Sequence, residues 1–301
     1  MKPTTRRNFL RASTASVALA TIAPALFAAD AQPAATPSPK RRFKKGIMWA
    51  TIPGKGSVLE KMKAVKAAGF DAVEMNSHME QAEVLKARDE TALEIVSVCD
   101  DVHWKKPLSA SDPKVQEEGL EALKQTLRDA KAYGTDSILL VPGVAKNGVT
   151  FDECWKRSIE QIRLAIPLAE ELRVKISVEN VWNDLITTEQ QAVRYLDEIN
   201  SPWVGWHFDV GNMICFGDPI DWIKALGQRI NRVHVKEYSR DLAMRAGNRG
   251  AGFKVPLLQG ANNWPGIMKA LDQVGYTGAL ITEQNASLEE LSQVLDKIMA
   301  R

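Results

Sequence analysis

The sequence predicts a single-domain α/β fold, a (β/α)₈ barrel, from three observations. From Gly46 onward, eight short runs rich in β-branched residues alternate with eight amphipathic stretches. That body spans about 256 residues, the usual size of such a barrel. No Gly-rich phosphate loop follows the first strand, which sets a doubly wound open sheet in second place.

Taken in order, strand 46–51 (GIMWAT) leads into helix 56–68, with Ser57 as its cap and Gly69 as its stop. Strand 71–75 (DAVEM) precedes helix 80–88, and strand 93–99 (LEIVSVC) precedes helix 113–133. That helix opens at Asp112-Pro113 and closes at Gly134. Strands 136–141 (DSILLV) and 174–179 (VKISVE) alternate with helices 152–172 and 188–199. Strand 203–209 (WVGWHFD), helix 219–227 and strand 230–235 (INRVHV) follow. Helix 264–274, stopped by Gly275, then strand 278–283 (GALITE) and helix 287–299 complete the set. The connection 238–262 is long for a strand–helix link and reads as a lid or binding loop. Its Arg240, Arg245 and Arg249 suit either an anionic group or a contact between subunits, so a homo-oligomer is one expected assembly.

The chain has 301 residues, 45% hydrophobic and 25% charged, which excludes a disordered, collagenous or disulfide-stapled protein. Its charge of +2 is unevenly placed, because the first 31 residues hold Lys2, Arg6, Arg7 and Arg11 against Asp30 alone. The remainder is near neutral, at −1, which argues against nucleic acid as a partner. Cys99, Cys154 and Cys215 have no metal-type spacing and read as buried thiols.

Thr5-Arg6-Arg7-Asn8-Phe9-Leu10-Arg11, followed by an Ala-rich apolar run to Ala29, reads as an export signal over 1–31. The paired arginines before Phe-Leu resemble the twin-arginine type, which exports folded proteins and points to the periplasm. Pro24 interrupts the run, so no lasting membrane insertion is expected after cleavage. A Pro- and Lys/Arg-rich linker covers 32–45, and the barrel covers 46–301.

A barrel of this kind carries its chemistry at the carboxyl ends of the strands. Those ends hold Trp49; Glu74, Asn76 and His78; His103-Trp104; Pro142-Gly143; and Glu179-Asn180 with Trp182. On the later strands they hold His207, Asp209 and Asn212; His234, Lys236 and Glu237; and Glu283-Gln284. All four histidines of the chain fall at or just beyond such an end. Glu179, Asp209, His234 and Glu283 close strands five to eight, and three carboxylates that near would repel unless a cation intervened. Oxygen-rich ligation with one imidazole suits one divalent ion, with Mn²⁺ first and Mg²⁺, Co²⁺ or Zn²⁺ as alternatives.

The runs Val178-Glu179-Asn180-Val181-Trp182-Asn183, His207-Phe208-Asp209-Val210-Gly211-Asn212, Val233-His234-Val235-Lys236-Glu237 and Ile281-Thr282-Glu283 resemble the xylose-isomerase-like barrel superfamily. Within it they are most similar to the sugar isomerase and epimerase group that holds the ketose and ketose-phosphate 3-epimerases. The stretch 260–278 resembles that group's segment before its last strand, and the resemblance covers roughly 46–300. It places the metal ligands on Glu179, Asp209, His234 and Glu283 and implies that Glu179 and Glu283 are also the catalytic acid/base pair. Asn212 stands where tagatose-type epimerases carry histidine, and Lys236 and Arg240 are offered where they carry arginine. Substrate oxygens are therefore expected to be held differently.

The implied reaction is proton abstraction α to a carbonyl through an enediolate, with the proton returned to the other face or to the next carbon. The same intermediate expelling a β-leaving group would make a lyase acting on keto-glycosides, and a non-catalytic sugar-binding protein is the other alternative. An apurinic endonuclease would need more histidines and a basic surface. Trp49, Trp104 and Trp182 suit a small carbohydrate's apolar face. His103, Lys236, Asn212, Glu74 and, less strongly, His78 and His207 are candidates for its hydroxyls. Export favours an unphosphorylated substrate. Replacing Arg6 and Arg7 with Lys is expected to hold the protein in the cytoplasm. Cell fractionation checks this, and normal export of the variant would overturn it.

Overall fold

The computed structural model describes residues 43–146 and 148–301. The signal expected over 1–31 and most of the linker over 32–45 lie outside these residues. The strands are β1 (Lys44–Met48), β2 (Ala72–Asn76), β3 (Glu94–Cys99), β4 (Ser137–Leu140), β5 (Lys175–Glu179), β6 (Val204–Asp209), β7 (Ile230–Val235) and β8 (Ala279–Thr282). They close in sequence order, each parallel to its neighbours, with Gly46 of β1 beside Ile281 of β8. The expected (β/α)₈ barrel is the observed fold.

Eight helices cover the expected stretches: α1 (Val58–Ala67), α2 (Gln81–Thr91), α3 (Pro113–Tyr133), α4 (Phe151–Leu172), α5 (Glu189–Ile199), α7 (Pro219–Leu226), α9 (Trp264–Gln273) and α10 (Leu288–Met299). Their starts follow local chemistry. The Ser57 hydroxyl accepts from the Glu60 amide while Glu60 returns a bond to the Ser57 amide, and Thr150 and Thr188 build the same reciprocal cap. Gly134, at φ +83°, ends α3 in the left-handed conformation that glycine adopts freely. Among the described residues, no helix is long and apolar enough to cross a membrane.

Three expectations change. Strand β1 runs from Lys44 to Met48 rather than 46–51, and Trp49–Thr51 turn into a short 3₁₀ segment as the Thr51 hydroxyl bonds back to the Met48 carbonyl at 2.9 Å. The connection 238–262, expected as one long loop, contains α8 (Arg240–Arg245) and a 3₁₀ segment, Arg249–Lys254. Cys99 and Cys154 are buried as expected, whereas Cys215 is half-buried.

Side chains alternate between the two faces of each strand. The outer face packs with the helices into the main apolar core. Ala72, Val96, Ala279 and Ile281 form a separate small apolar cluster, with Met48 packed against it. Glu74 lies two residues beyond Ala72, and Glu283 two beyond Ile281, so polar groups continue the same faces towards the carboxyl ends.

Directly after β6, a short helix α6 (Val210–Met213) starts with Asp209 as its cap. It passes against the β7 end so closely that a Cβ on Gly211 would fall 2.7 Å from the Lys236 carbonyl oxygen. Gly211→Ala is therefore expected to destabilise the fold by about 1–3 kcal/mol, the usual cost of overpacking. Chemical denaturation checks this, and an unchanged midpoint would show that the backbones can part freely.

Candidate metal centre

Glu179 is the last residue of β5 and Asp209 the last of β6, His234 is the penultimate residue of β7, and Glu283 follows β8. The register sets Asp209 beside His234. The His234 Nδ1 atom lies 3.2 Å from Glu179 Oε1, 3.2 Å from Glu283 Oε2 and 4.0 Å from Asp209 Oδ2. One donor atom from each of the four comes within 4.8 Å of every other.

Neighbouring polar groups hold this arrangement. Asn180 ties β5 to β6, with its Nδ2 donating to the Asp209 carbonyl and its Oδ1 accepting from the Asp209 amide. Asp209 Oδ1 accepts from the Asn212 amide at 2.8 Å, the cap of α6. Asp209 Oδ2 and Glu283 Oε2 are both buried. The Lys236 ammonium approaches both oxygens, at 3.2 and 2.6 Å. Behind the ring, His234 Nε2 lies 2.8 Å from Glu74 Oε1, and the His207 ring packs edge-on at 4.2 Å between centroids.

Burial dominates the electrostatics. It pushes the Glu179 carboxyl up to about 7 and raises that of Asp209. For Glu283 burial acts the same way, but the Lys236 and His234 charges outweigh it and hold the carboxyl below its ordinary value. Burial favours a neutral His234 ring, yet Glu74, Glu179 and Glu283 outweigh it and raise its pKa well above the usual value. With all three carboxylates ionised and His234 neutral, as a ligating imidazole must be, Lys236 offsets one charge and leaves two, which a divalent cation would balance. The donor set of three carboxylates and one imidazole, its spacing and this charge fit such an ion.

Above the four residues opens a cavity of about 420 Å³. Glu179 and Glu283 line it together with His103, Trp104, Trp182, Asn212 and Lys236. Trp104 is 53% exposed at the rim. Burial holds His103 neutral, with its pKa down to about 3. The Trp182 indole donates to the Asn212 carbonyl at 2.9 Å and packs on Phe253.

Other candidates lie elsewhere. Glu74, expected to meet substrate, is fully buried and does not line the cavity, because it sits two residues below the end of β2. His207 is likewise buried inside the barrel, and burial lowers its pKa. Trp49 sits under the Lys61 ammonium, and His78 Nδ1 lies 2.7 Å from the Ser77 hydroxyl; neither lines the cavity. Glu237 accepts from the Leu258 and Asn262 amides and the Trp264 indole, and so anchors the loop after β7. Of the three arginines, Arg240 bonds the Ile214 and Gly217 carbonyls, Arg245 pairs with Asp241, and Arg249 lies over Trp182 and Phe216.

Sequence reasoning missed Asp100, Asp101 and Phe253 as cavity walls. Asp100 and Asp101 follow β3 directly, so the strand-end rule that found His103 also points to them. Burial pushes the Asp100 carboxyl up to about 7.

Residues 62–298 match the family model described as a xylose isomerase-like TIM barrel. The chain belongs to that family. The chain is similar to L-ribulose-5-phosphate 3-epimerase UlaE of Salmonella paratyphi A, 24% identical over 257 residues, covering 81% of this chain and 87% of that protein. The solved structure of 3-keto-D-glucoside 4-epimerase YcjR from E. coli matches with a TM-score of 0.72 at 17% identity, over 86% of this chain and 100% of that one. The IolI protein, solved with a zinc atom, matches at 0.68 and 18% identity, over 86% and 97%. These likenesses carry the fold.

The purified protein is expected to contain one divalent ion per chain, and His234→Ala to lose it. Elemental analysis of both proteins checks this, and undiminished metal in the variant would place the site elsewhere.

Proposed function

We propose that the chain is a divalent-metal-dependent sugar epimerase or isomerase that moves a proton α to a carbonyl of an unphosphorylated sugar. The observation that carries this reading is the placement of Glu179 and Glu283. Glu179 ends β5 and Glu283 directly follows β8; both face one imidazole nitrogen from 3.2 Å and line the same cavity.

Held by Glu179, Asp209, His234 and Glu283, the ion, with Mn²⁺ preferred, would polarise the substrate carbonyl and stabilise negative charge on its oxygen. The chain's own residues do the rest. One glutamate takes the proton from the α carbon; return by the other to the opposite face inverts that centre. Return to the adjacent carbon exchanges aldose and ketose. Trp104, Trp182 and Phe253 offer apolar faces to a sugar.

Two observations favour a substrate without phosphate. Among the described residues lining the cavity, Lys236 is the one lysine or arginine, and its ammonium already sits between Asp209 and Glu283. The opposite wall carries Asp100 and Asp101. Action in the periplasm is part of the same proposal, supported by the Arg6-Arg7 segment.

Glu179→Gln and Glu283→Gln are each expected to cut turnover by ~10²–10⁴-fold. Metal content is measured alongside, since both residues also serve the ion. Free ketoses, aldoses and 3-keto-glycosides are incubated in deuterated water and followed by NMR. Deuterium at the α carbon of an intact sugar supports the proposal. Release of an aglycone with a new unsaturated sugar would replace it with a lyase, and binding without exchange would make it a sugar-binding protein.

A further inference from the structure

The interior of the barrel below the metal centre holds an ionisable pair that the proposed reaction does not use. Glu74 and His207 are both fully buried, and neither lines the cavity. A buried carboxylate is costly unless it is paired. Glu74 Oε1 meets that need at 2.8 Å from His234 Nε2, the ring nitrogen turned away from Glu179, Asp209 and Glu283. His207 does not compete for it. Its Nδ1 stays 3.7 Å from Glu74 Oε2, and neither of its ring nitrogens has a hydrogen-bond partner. Its ring instead lies edge-on against His234 and limits how far that imidazole can turn.

We infer that Glu74 is a positioning residue for the metal centre. With an ion held by the centre, its carboxylate would accept the Nε2 proton of His234 and so fix the tautomer whose Nδ1 lone pair points to the side of Glu179, Asp209 and Glu283. A carboxylate is an acceptor only, so the shared hydrogen belongs to the imidazole. With Nε2 protonated, Nδ1 is the nitrogen free to ligate, and the negative charge behind the ring increases its basicity. Nδ1 faces Glu179, Asp209 and Glu283, and an ionised carboxylate only accepts. Two barrel features make Glu74 a fixed acceptor. It lies within β2, with parallel neighbours on both sides. Its Met48 and Ser97 neighbours across the sheet leave it fully enclosed.

This inference rests on His234 being a metal ligand and is independent of the sugar reaction. The first test uses the full-length wild-type chain labelled with ¹⁵N at histidine and loaded with ¹¹³Cd²⁺. Cadmium coupling on His234 Nδ1 with a proton on Nε2 is expected. Coupling on Nε2, or on neither nitrogen, would overturn the inference. The second test compares Cd²⁺ affinity by chelator competition in Glu74→Gln and Glu74→Leu. Loss of a partner behind a metal-bound histidine typically costs ~10–100-fold. Glu74→Gln, which keeps an acceptor oxygen of the same reach, is expected near the low end, and Glu74→Leu near the high end. Wild-type affinity in both variants, with cadmium still on Nδ1, would mean that the ring is held by packing on His207 and not by Glu74. Should either variant fail to fold, the spectrum of the wild-type protein decides alone.

Discussion

Closing eight parallel strands in sequence order means that every strand ends at the same rim. Side chains with no neighbourhood in sequence are brought together by that constraint, with 104 positions separating Glu179 from Glu283. Strand pairing is also what crowds the carboxylates at that rim. Asp209 stands beside His234 in register, and Asn180 stitches the Asp209 backbone to β5. Repulsion among carboxylates is overcome by a backbone ladder that cannot spread, and the energy of that ladder is distributed around the whole barrel.

Much of this was legible in the linear sequence because the signals were periodic. Alternating β-branched runs and capped amphipathic stretches define the barrel, and Glu179, Asp209, His234 and Glu283, read from the strand ends, are brought to one point. What was not legible depends on depth and on distant partners. Two lysines at 44 and 45 hid the start of β1, because the Lys45 ammonium is buried against Ser292 and Asp296 at the far end of the chain. Glu74 reads like any strand-end carboxylate until β2 is seen to continue to Asn76, which leaves Glu74 below the rim. Local pattern gives a residue's face but not its height.

The segment after β7 illustrates the same limit. Its length and arginines suggested a lid or binding loop, for an anionic group or a subunit contact; within the chain the arginine contacts are with carbonyls, Asp241 and aromatic faces. Its contribution to the cavity is Phe253, held beside Trp182 and below the Lys236 ammonium at 5.2 Å. Glu237 anchors the far part of the segment through the Leu258 and Asn262 amides. A buried carboxylate thus serves as a fastening for one wall of the cavity, and the neighbouring lysine at 236 faces the acidic rim.

The cap of α6 has a consequence for how Asp209 is aimed. Its Oδ1 accepts the Asn212 amide at 2.8 Å, which fixes the plane of the carboxylate. Oδ2 is thereby turned toward the Lys236 ammonium and the His234 ring. A four-residue helix therefore works as a sight for its neighbour: one backbone amide decides which of two equivalent oxygens looks out at the rim.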